Sequence, residues 1–342
     1  MQCKGKYLYL HLYTYILALI FFSSFGCEEK LDIDLGNKPK PTERVALPPP
    51  TNLSWSLDGK WILFLAESTI KIMKTDEGRQ VTALTGTGQY DNPVWSPKGD
   101  QIAYDLSSDF GLPEIWVKDA FKKSVPISVT ADLFYDSNPT WSSDGMKIAF
   151  QSRRSGNWDI WIAKATRTSN LIQLTDNPKS DQKPVWSPDG RQIAFESDRS
   201  GTSGIWLASP NKDEPEKQFT FNSTRSYGIK WSPDSSKMAY FSVDSATTQI
   251  MVKSTDGSGN PRDIGALNAI SYSWTPSGLF IVYESEGKIL AKSIETNETP
   301  IHIADGISPI VSPDGSQIAF VQYDRSTNSF AIKIVDAPAA IR

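Results

Sequence analysis

One short motif, written seven times at nearly even intervals, limits this chain more than any other feature. Trp55-Ser-Leu-Asp-Gly59, Trp95-Ser-Pro-Lys-Gly99, Trp141-Ser-Ser-Asp-Gly145, Trp186-Ser-Pro-Asp-Gly190, Trp231-Ser-Pro-Asp-Ser235, Trp274-Thr-Pro-Ser-Gly278 and Val311-Ser-Pro-Asp-Gly315 follow one another at 40, 46, 45, 45, 43 and 37 residues. Each is followed by an apolar run of the Ile-Ala-Phe type, from Trp61-Ile-Leu-Phe64 to Ile318-Ala-Phe320. A period near 40–45 residues filled with short β-branched runs and turn residues is that of a four-stranded propeller blade, not of a helical solenoid.

Each unit reads strand by strand. The residues ending at the Trp form strand A. Ser-Pro-Asp-Gly is a tight turn, in which Pro sets φ, Asp bonds its own backbone and Gly takes the left-handed conformation. The Ile-Ala-Phe triplet is strand B. Strand C follows about 20 residues after the Trp, as in Ile115-Trp116-Val117, Ile160-Trp161-Ile162 and Ile205-Trp206-Leu207. Strand D is short and ends in Thr, as in Ala83-Leu84-Thr85, Ile172-Gln173-Leu174-Thr175 and Gln218-Phe219-Thr220. The reading is an all-β, seven-bladed β-propeller of four-stranded blades, with units near 52–85, 92–130, 138–175, 183–220, 228–265, 271–304 and 308–342; six blades and a degenerate remainder is the alternative. The last unit runs out after its strand C, Phe330–Val335, and an open outer edge invites aggregation. Glu43-Arg44-Val45-Ala46-Leu47 is therefore expected to join the last blade as its outer strand and close the ring.

The Trp-Ser-Pro-Asp-Gly-x-x-Ile-Ala-Phe repeat resembles the Pro-Asp variant of the WD repeat found in TolB-like β-propellers, and the resemblance covers roughly residues 52–336. It implies the propeller. TolB itself has six blades and a separate N-terminal α/β domain, which the tether before the first unit is too short to hold, so its role in its envelope complex does not carry over with the fold.

Ahead of the repeats, Met1–Gly26 reads as an export signal: Lys4 and Lys6, then an uncharged stretch from Tyr7 to Phe25 centred on Ile16–Phe22, then small residues before Cys27. Its end resembles a bacterial lipoprotein signal, which implies lipidation of Cys27. Plain secretion to the periplasm and an uncleaved anchor are the alternatives. Residues 27–42 would be a lipid-anchored tether and 43–342 the propeller, in the bacterial cell envelope on the periplasmic or surface side of the outer membrane. Glu28 and Glu29 after the cysteine resemble the pattern of lipoproteins that leave the inner membrane.

Composition narrows the chemistry. The net charge of −4 carries no basic excess, so nucleic acid is not an expected partner. The chain has two histidines and two cysteines, and His11 and Cys3 fall in the leader. His302 and Cys27 alone can supply neither a disulfide framework, nor a Cys/His zinc site, nor a nucleophile–His triad drawing on a second histidine. No Gly-x-Ser-x-Gly elbow, His-Glu-x-x-His or Gly-rich phosphate loop occurs. No cofactor or metal is expected, and the reading is non-enzymatic. A lyase or hydrolase built from carboxylates of the funnel is the remote alternative.

The repeat residues have structural readings. The turn Asp caps its own turn, and the repeat Trp residues, with Trp116, Trp161 and Trp206 of strand C, pack blade on blade. His302 should point to solvent from strand D. Function is then expected in the loops that differ between units. The B–C loops and D–A crossovers share one face around the funnel, and they contain Tyr90, Asp91, Asp109, Phe110, Tyr135, Asp136, Arg153, Arg154, Trp158, Asp181, Asp198, Arg199 and Tyr227. Aromatics mixed with Arg and Asp are favoured at interface hot spots. The expected function is a protein-binding scaffold, a monomer that holds an envelope protein or peptide by these loops; a glycan stacked on Tyr90, Tyr135, Trp158 and Tyr227 is the alternative. Alanine at Arg153, Arg154, Asp198 and Arg199 is expected to weaken capture with the melting temperature nearly unchanged.

Overall fold

The computed structural model describes residues 48–342 apart from 77–78, 108–110, 167–169, 222–223 and 245–246. They form seven antiparallel sheets in chain order. Blade 1 is β1 (Thr51–Trp55), β2 (Trp61–Ala66), β3 (Thr69–Lys74) and β4 (Val81–Ala83). Blade 2 is β5 (Tyr90–Trp95), β6 (Gln101–Ser107), β7 (Pro113–Asp119) and β8 (Ile127–Ser128). Blade 3 is β9 (Asp136–Trp141), β10 (Lys147–Ser152), β11 (Asp159–Lys164) and β12 (Ile172–Gln173). Blade 4 is β13 (Asp181–Trp186), β14 (Ile193–Ser197), β15 (Gly204–Ala208) and β16 (Lys217–Gln218). Blade 5 is β17 (Arg225–Trp231), β18 (Lys237–Asp244), β19 (Thr247–Ser254) and β20 (Arg262–Asp263). Blade 6 is β21 (Ala269–Trp274), β22 (Phe280–Ser285), β23 (Lys288–Ser293) and β24 (Ile301–Asp305). Blade 7 has three described strands, β25 (Ile307–Val311), β26 (Gln317–Asp324) and β27 (Ser329–Asp336), followed by a 3-10 turn at Ala339–Ile341. The expected closing strand, 43–47, lies outside the described residues, as do Asp109 and Phe110.

First strands touch across five of the seven junctions, β17 of blade 5 meets β14 and β15 of blade 4, and β1 meets both β5 and β25, so the blades close into a ring. The core is divided accordingly. Seven apolar clusters occupy the seven seams, among them one shared by blades 2 and 3 around Trp141, Ile148 and Phe150, and one shared by blades 7 and 1 around Ile62, Phe64 and Ala319. A sheet that is apolar on both faces has no stable use alone; stacking it between two others removes both faces from water.

The repeat tryptophans do more than fill these seams. Five of the six indoles reach back toward the preceding blade, the Nε1–H donating to the carbonyl just before that blade's own repeat position: Trp95 to Ser54 at 3.3 Å, Trp141 to Val94 at 3.3 Å, Trp231 to Val185 at 3.0 Å and Trp274 to Lys230 at 3.1 Å. Trp55 donates to Ile310 at 3.3 Å, which ties blade 1 to blade 7. Trp186 departs from the pattern and donates to Gly190 of its own turn at 3.2 Å. An aromatic side chain buries about 150–250 Å², which at about 25 cal/mol/Å² is at most about 4–6 kcal/mol per indole.

The turn residues behave as their chemistry requires. Ser Oγ donates to the turn carboxylate at 2.6 Å in Ser56–Asp58, Ser187–Asp189, Ser232–Asp234 and Ser312–Asp314. Lys98 stands in the Asp place of blade 2, and Asp100 takes over, accepting from Ser96 at 3.1 Å. Hydrogen bonds from Ser232 and Ser236 hold Asp234 down to about 2. Ser235 occupies the glycine place at φ 61°, and its hydroxyl accepts the Asp189 N–H of blade 4 at 3.1 Å.

Strand D is shorter than expected in blades 2, 3 and 4, and it starts earlier in blades 1 and 4. The terminal threonines explain why. Thr85, Thr130, Thr175 and Thr220 turn their hydroxyls back to accept the N–H of Ile70, Ile115, Ile160 and Ile205 at 2.9–3.1 Å. A side-chain oxygen replaces the next backbone acceptor, so ladder pairing stops there. His302 is exposed on β24 and faces Asp305 at 3.1 Å.

Candidate functional site

The B–C hairpin loops and D–A crossovers gather on the face opposite the Ser-Pro-Asp-Gly turns. The sequence-derived candidates there fall into two classes, and burial separates them.

Arg154 and Arg199 are internal. Arg154 spreads its guanidinium over Asp136 (2.8 and 2.9 Å), Asp132 (3.0 Å) and the Ser152 hydroxyl (2.8 Å), with its side chain 10% exposed and that of Asp136 fully covered. Arg199 repeats the arrangement one blade on, with Asp181 at 2.5 Å, Ser197 Oγ at 3.0 Å and Glu216 as a second carboxylate. Each lies over the tryptophan of its own strand C, Arg154 at 5.1 Å from Trp161 and Arg199 at 4.5 Å from Trp206. Burial pushes Asp181 up to about 6 against the hydrogen bond from Ser197 and the charge of Arg199. The Ser-x-Arg stretch that recurs in blades 3 and 4 is thus a structural clasp from the B–C loop to the start of strand A. The expectation that alanine at Arg154 or Arg199 spares the melting temperature is corrected: breaking a buried ion pair strands a carboxylate.

Arg153, Tyr135 and Trp158 form the open group. Tyr135 is 39% exposed and meets Trp158 edge-on at 5.1 Å, while the Arg153 guanidinium lies 4.9 Å from the Trp158 ring. Leu133 and Phe134 in the same crossover are also exposed, so cation, aromatic edges and aliphatic surface are contiguous. The other candidates stand apart from this cluster. Tyr90 is half-buried against Tyr104 at 5.7 Å, and exposed Asp91 accepts from Asn52 of blade 1 at 3.1 Å. Tyr227 is half-buried between Phe241 at 5.3 Å and Arg225 at 4.9 Å. Asp198 is exposed in its loop, where its carbonyl accepts the Gly201 N–H at 3.1 Å.

Sequence reading missed a second tier below the loops. Asp105, Gln151, Glu196 and Glu284 each follow the aromatic of strand B, a polar residue inside an otherwise apolar run, and all four are buried. Their side chains bridge to the next blade, accepting the backbone N–H of Asn138 (3.3 Å), Lys183 (2.8 Å), Gly228 (3.0 Å) and Ser308 (3.3 Å) respectively. These N–H groups are freed by a bulge in strand A. Asp105 has one oxygen without a partner, and burial, with the charges of Asp91 and Asp136 added, raises it to about 8. In blade 5 the equivalent residue is Phe241, and Gly228 sits opposite; a Cβ there would lie 2.6 Å from the Phe241 ring. That position of the channel wall is therefore apolar. Among the described residues no group of three or more His, Cys, Asp or Glu side chains is placed to hold a metal ion.

The fold has many relatives among solved structures. A protein assigned as TolB from Agrobacterium tumefaciens superposes with a TM-score of 0.55 at 20% identity, over 84% of this chain and 90% of that one. TolB from Acinetobacter baumannii gives 0.54 at 20% identity, over 77% of this chain and 60% of that one. An oligogalacturonate lyase from Vibrio parahaemolyticus gives 0.69 at 14% identity, over 89% and 93%. At such identities the likeness speaks for architecture alone. No match is found among curated proteins. Residues 64–299, more than half of the chain, match the TolB beta propeller domain. With seven blades built on its repeat, the chain belongs to the TolB beta propeller domain family.

Proposed function

We propose that this protein is a non-enzymatic binding propeller of the bacterial envelope, tethered through a lipidated Cys27, which holds a peptide segment of another envelope protein at its funnel-side face. The carrying observation is the open cluster of Arg153, Tyr135 and Trp158 beside exposed Leu133 and Phe134. Aromatic and Arg anchors on a rigid support, near a rim of polar loops, are the composition that concentrates binding energy. The clasps at Arg154 and Arg199 hold two of these loops in place, so little ordering cost remains at binding.

The test is photo-crosslinking in the native envelope. A benzophenone side chain at Tyr135 or Trp158 should yield a discrete protein adduct. The same group at Leu57 or Met146, exposed turn residues of the other face, should not. Equal adducts from both faces, or none from the funnel side, would refute the reading. Glycan binding is the second reading, favoured by the edge-on Tyr135–Trp158 pair, whose exposed aromatic surface suits a sugar ring. A glycan array probed with the protein separates the two.

A further inference from the structure

The interior of the channel between blades 4, 5 and 6 has a feature that none of the other blades repeats. The residue preceding the repeat Trp is Ser54, Val94, Thr140, Val185 or Ser273 elsewhere, and Ile310 stands before Val311, but in blade 5 it is Lys230. Its ammonium donates to the Tyr272 carbonyl and lies 5.2 Å from the Tyr272 ring. Among the described residues Lys230 forms no ion pair. The neighbouring Lys183 is neutralised by Glu196 at 3.2 Å. The side chain of Lys230 remains accessible from the channel although three blades surround it.

Around this ammonium is a pocket of about 310 Å³ whose walls include Val185, Phe241 and Ile270, with the Lys183–Glu196 ion pair and Ser271 also lining it. Ile270 is 69% exposed, an uncovered aliphatic side chain beside an unneutralised cation. Gly228 makes the wall apolar by admitting Phe241 where blades 2, 3, 4 and 6 carry an acid or amide. The floor is fixed, since the single Tyr272 hydroxyl proton is shared between the Ala239 and Gly228 carbonyls, 2.8 and 2.5 Å away.

We infer that this pocket binds a monocarboxylate bearing a short apolar group, the carboxylate on Lys230 and the apolar group on Ile270, Phe241 and Val185. An ammonium has three N–H donors, and one is engaged by Tyr272. The charge complement of the remaining two is an anion; the one carboxylate in the pocket wall, Glu196, is already taken up by Lys183 at 3.2 Å and by the Gly228 N–H at 3.0 Å, and the aliphatic and aromatic side chains beside it select an anion with an apolar substituent. The volume lies at the lower end of the ~300–1,000 Å³ usual for small-ligand sites, enough for one residue and not for a folded segment. The inference rests on the peptide reading above and deepens it: the carboxylate is then a chain terminus, and the C-terminal residue of the bound segment enters the channel.

Desolvation between the blades lowers Lys230 to about 8, so the amine is charged at neutral pH and partly free near pH 8, where it can be acylated. The experiment measures Lys230 acylation by an N-hydroxysuccinimide ester near that pH, by peptide mass spectrometry on the full chain. The probes are acetyl-Gly-Ala-Leu with a free carboxylate, the same peptide as its C-terminal amide, and 3-methylbutanoate. The acid peptide should protect Lys230 at least tenfold better than the amide, and Lys183 much less. Calorimetric binding of the acid peptide should fall at least tenfold in K230M and be largely kept in K230R. Protection by 3-methylbutanoate equal to that by the acid peptide would support the carboxylate site and identify a free acid as sufficient ligand. Equal protection by acid and amide, or equal binding to K230M, would overturn the carboxylate site while leaving the peptide reading intact. No protection by any probe at millimolar concentration would also overturn it, and the crosslinking from Tyr135 would still decide the peptide reading separately.

Discussion

Replacing Arg199 by alanine is the sharpest test of how the loop face is built. Its guanidinium is 9% exposed and holds Asp181, whose side chain is fully covered, together with Glu216 and the Ser197 hydroxyl. The substitution leaves the Asp181 carboxylate buried without its cation, a loss of about 3–5 kcal/mol. At roughly 2 °C per kcal/mol for a chain of this size, the melting temperature should fall by about 6–10 °C. The effect carries a pH signature. Asp181 is raised from 3.8 to about 6, so the stability tied to its neutral form is full below about pH 4 and is lost as pH rises through 6. Without Arg199 the carboxyl is pushed higher, and the loss continues above pH 6. The deficit of R199A should thus be modest near pH 5 and full near pH 8, read by tryptophan fluorescence during thermal unfolding. R199A/D181N should recover most of it, because the stranded charge is gone. Arg153→Ala, at an exposed site, should shift the midpoint by about 1 °C or less. A deficit equal at both pH values, or a midpoint for R199A near that of the parent at pH 8, would refute the clasp.

Two further outcomes follow from buried groups elsewhere. Asp105 is raised from 3.8 to about 8, so its contribution to stability is full at acid pH and declines as pH rises toward 8; Asp105→Asn should flatten that decline and stabilise the protein by on the order of 2 kcal/mol at pH 8.5 in urea titrations, and parallel pH curves would contradict it. Ile341, 1% exposed in the seam of blades 6 and 7, should cost about 2–4 kcal/mol as Ile341→Ala; a change below about 0.5 kcal/mol would show that the C-terminal turn is dispensable.

The blades were legible because the residues that define them are structural in every copy. A turn needs its Asp and Gly, and a seam needs its indole, so selection for the ring writes itself as a period. His302 could be placed by alternation for the same reason. The clasp residues misled because Arg and Asp look alike on an interface and in an internal ion pair; what differs is that Arg154 and Arg199 are long enough to fold back over the strand C tryptophans, and contact across three strands is not a local property. The bridging carboxylates had a signal, a polar residue directly after each strand B aromatic, but two-sided burial hides whether such a residue faces water. Lys230 occurs in one unit only, and a reading built on what repeats passes over what does not.

The indole ties are not uniform around the circle. Two junctions lack one: Trp186 of blade 4 bonds its own turn, and blade 7 begins with Val311, so the junction of blades 6 and 7 relies on Ser308 N–H on Glu284 at 3.3 Å, Val311 N–H on the Ser273 hydroxyl at 3.4 Å, and Ala337 and Ile341 in its apolar cluster. A closed loop under thermal or mechanical load gives way at its weakest joint, and the remaining joints then peel as an open stack, each losing one neighbour at a time. At the junction of blades 6 and 7, Ala337 and Ile341 stand where an indole stands elsewhere, so loosening that turn loosens a seam of the circle.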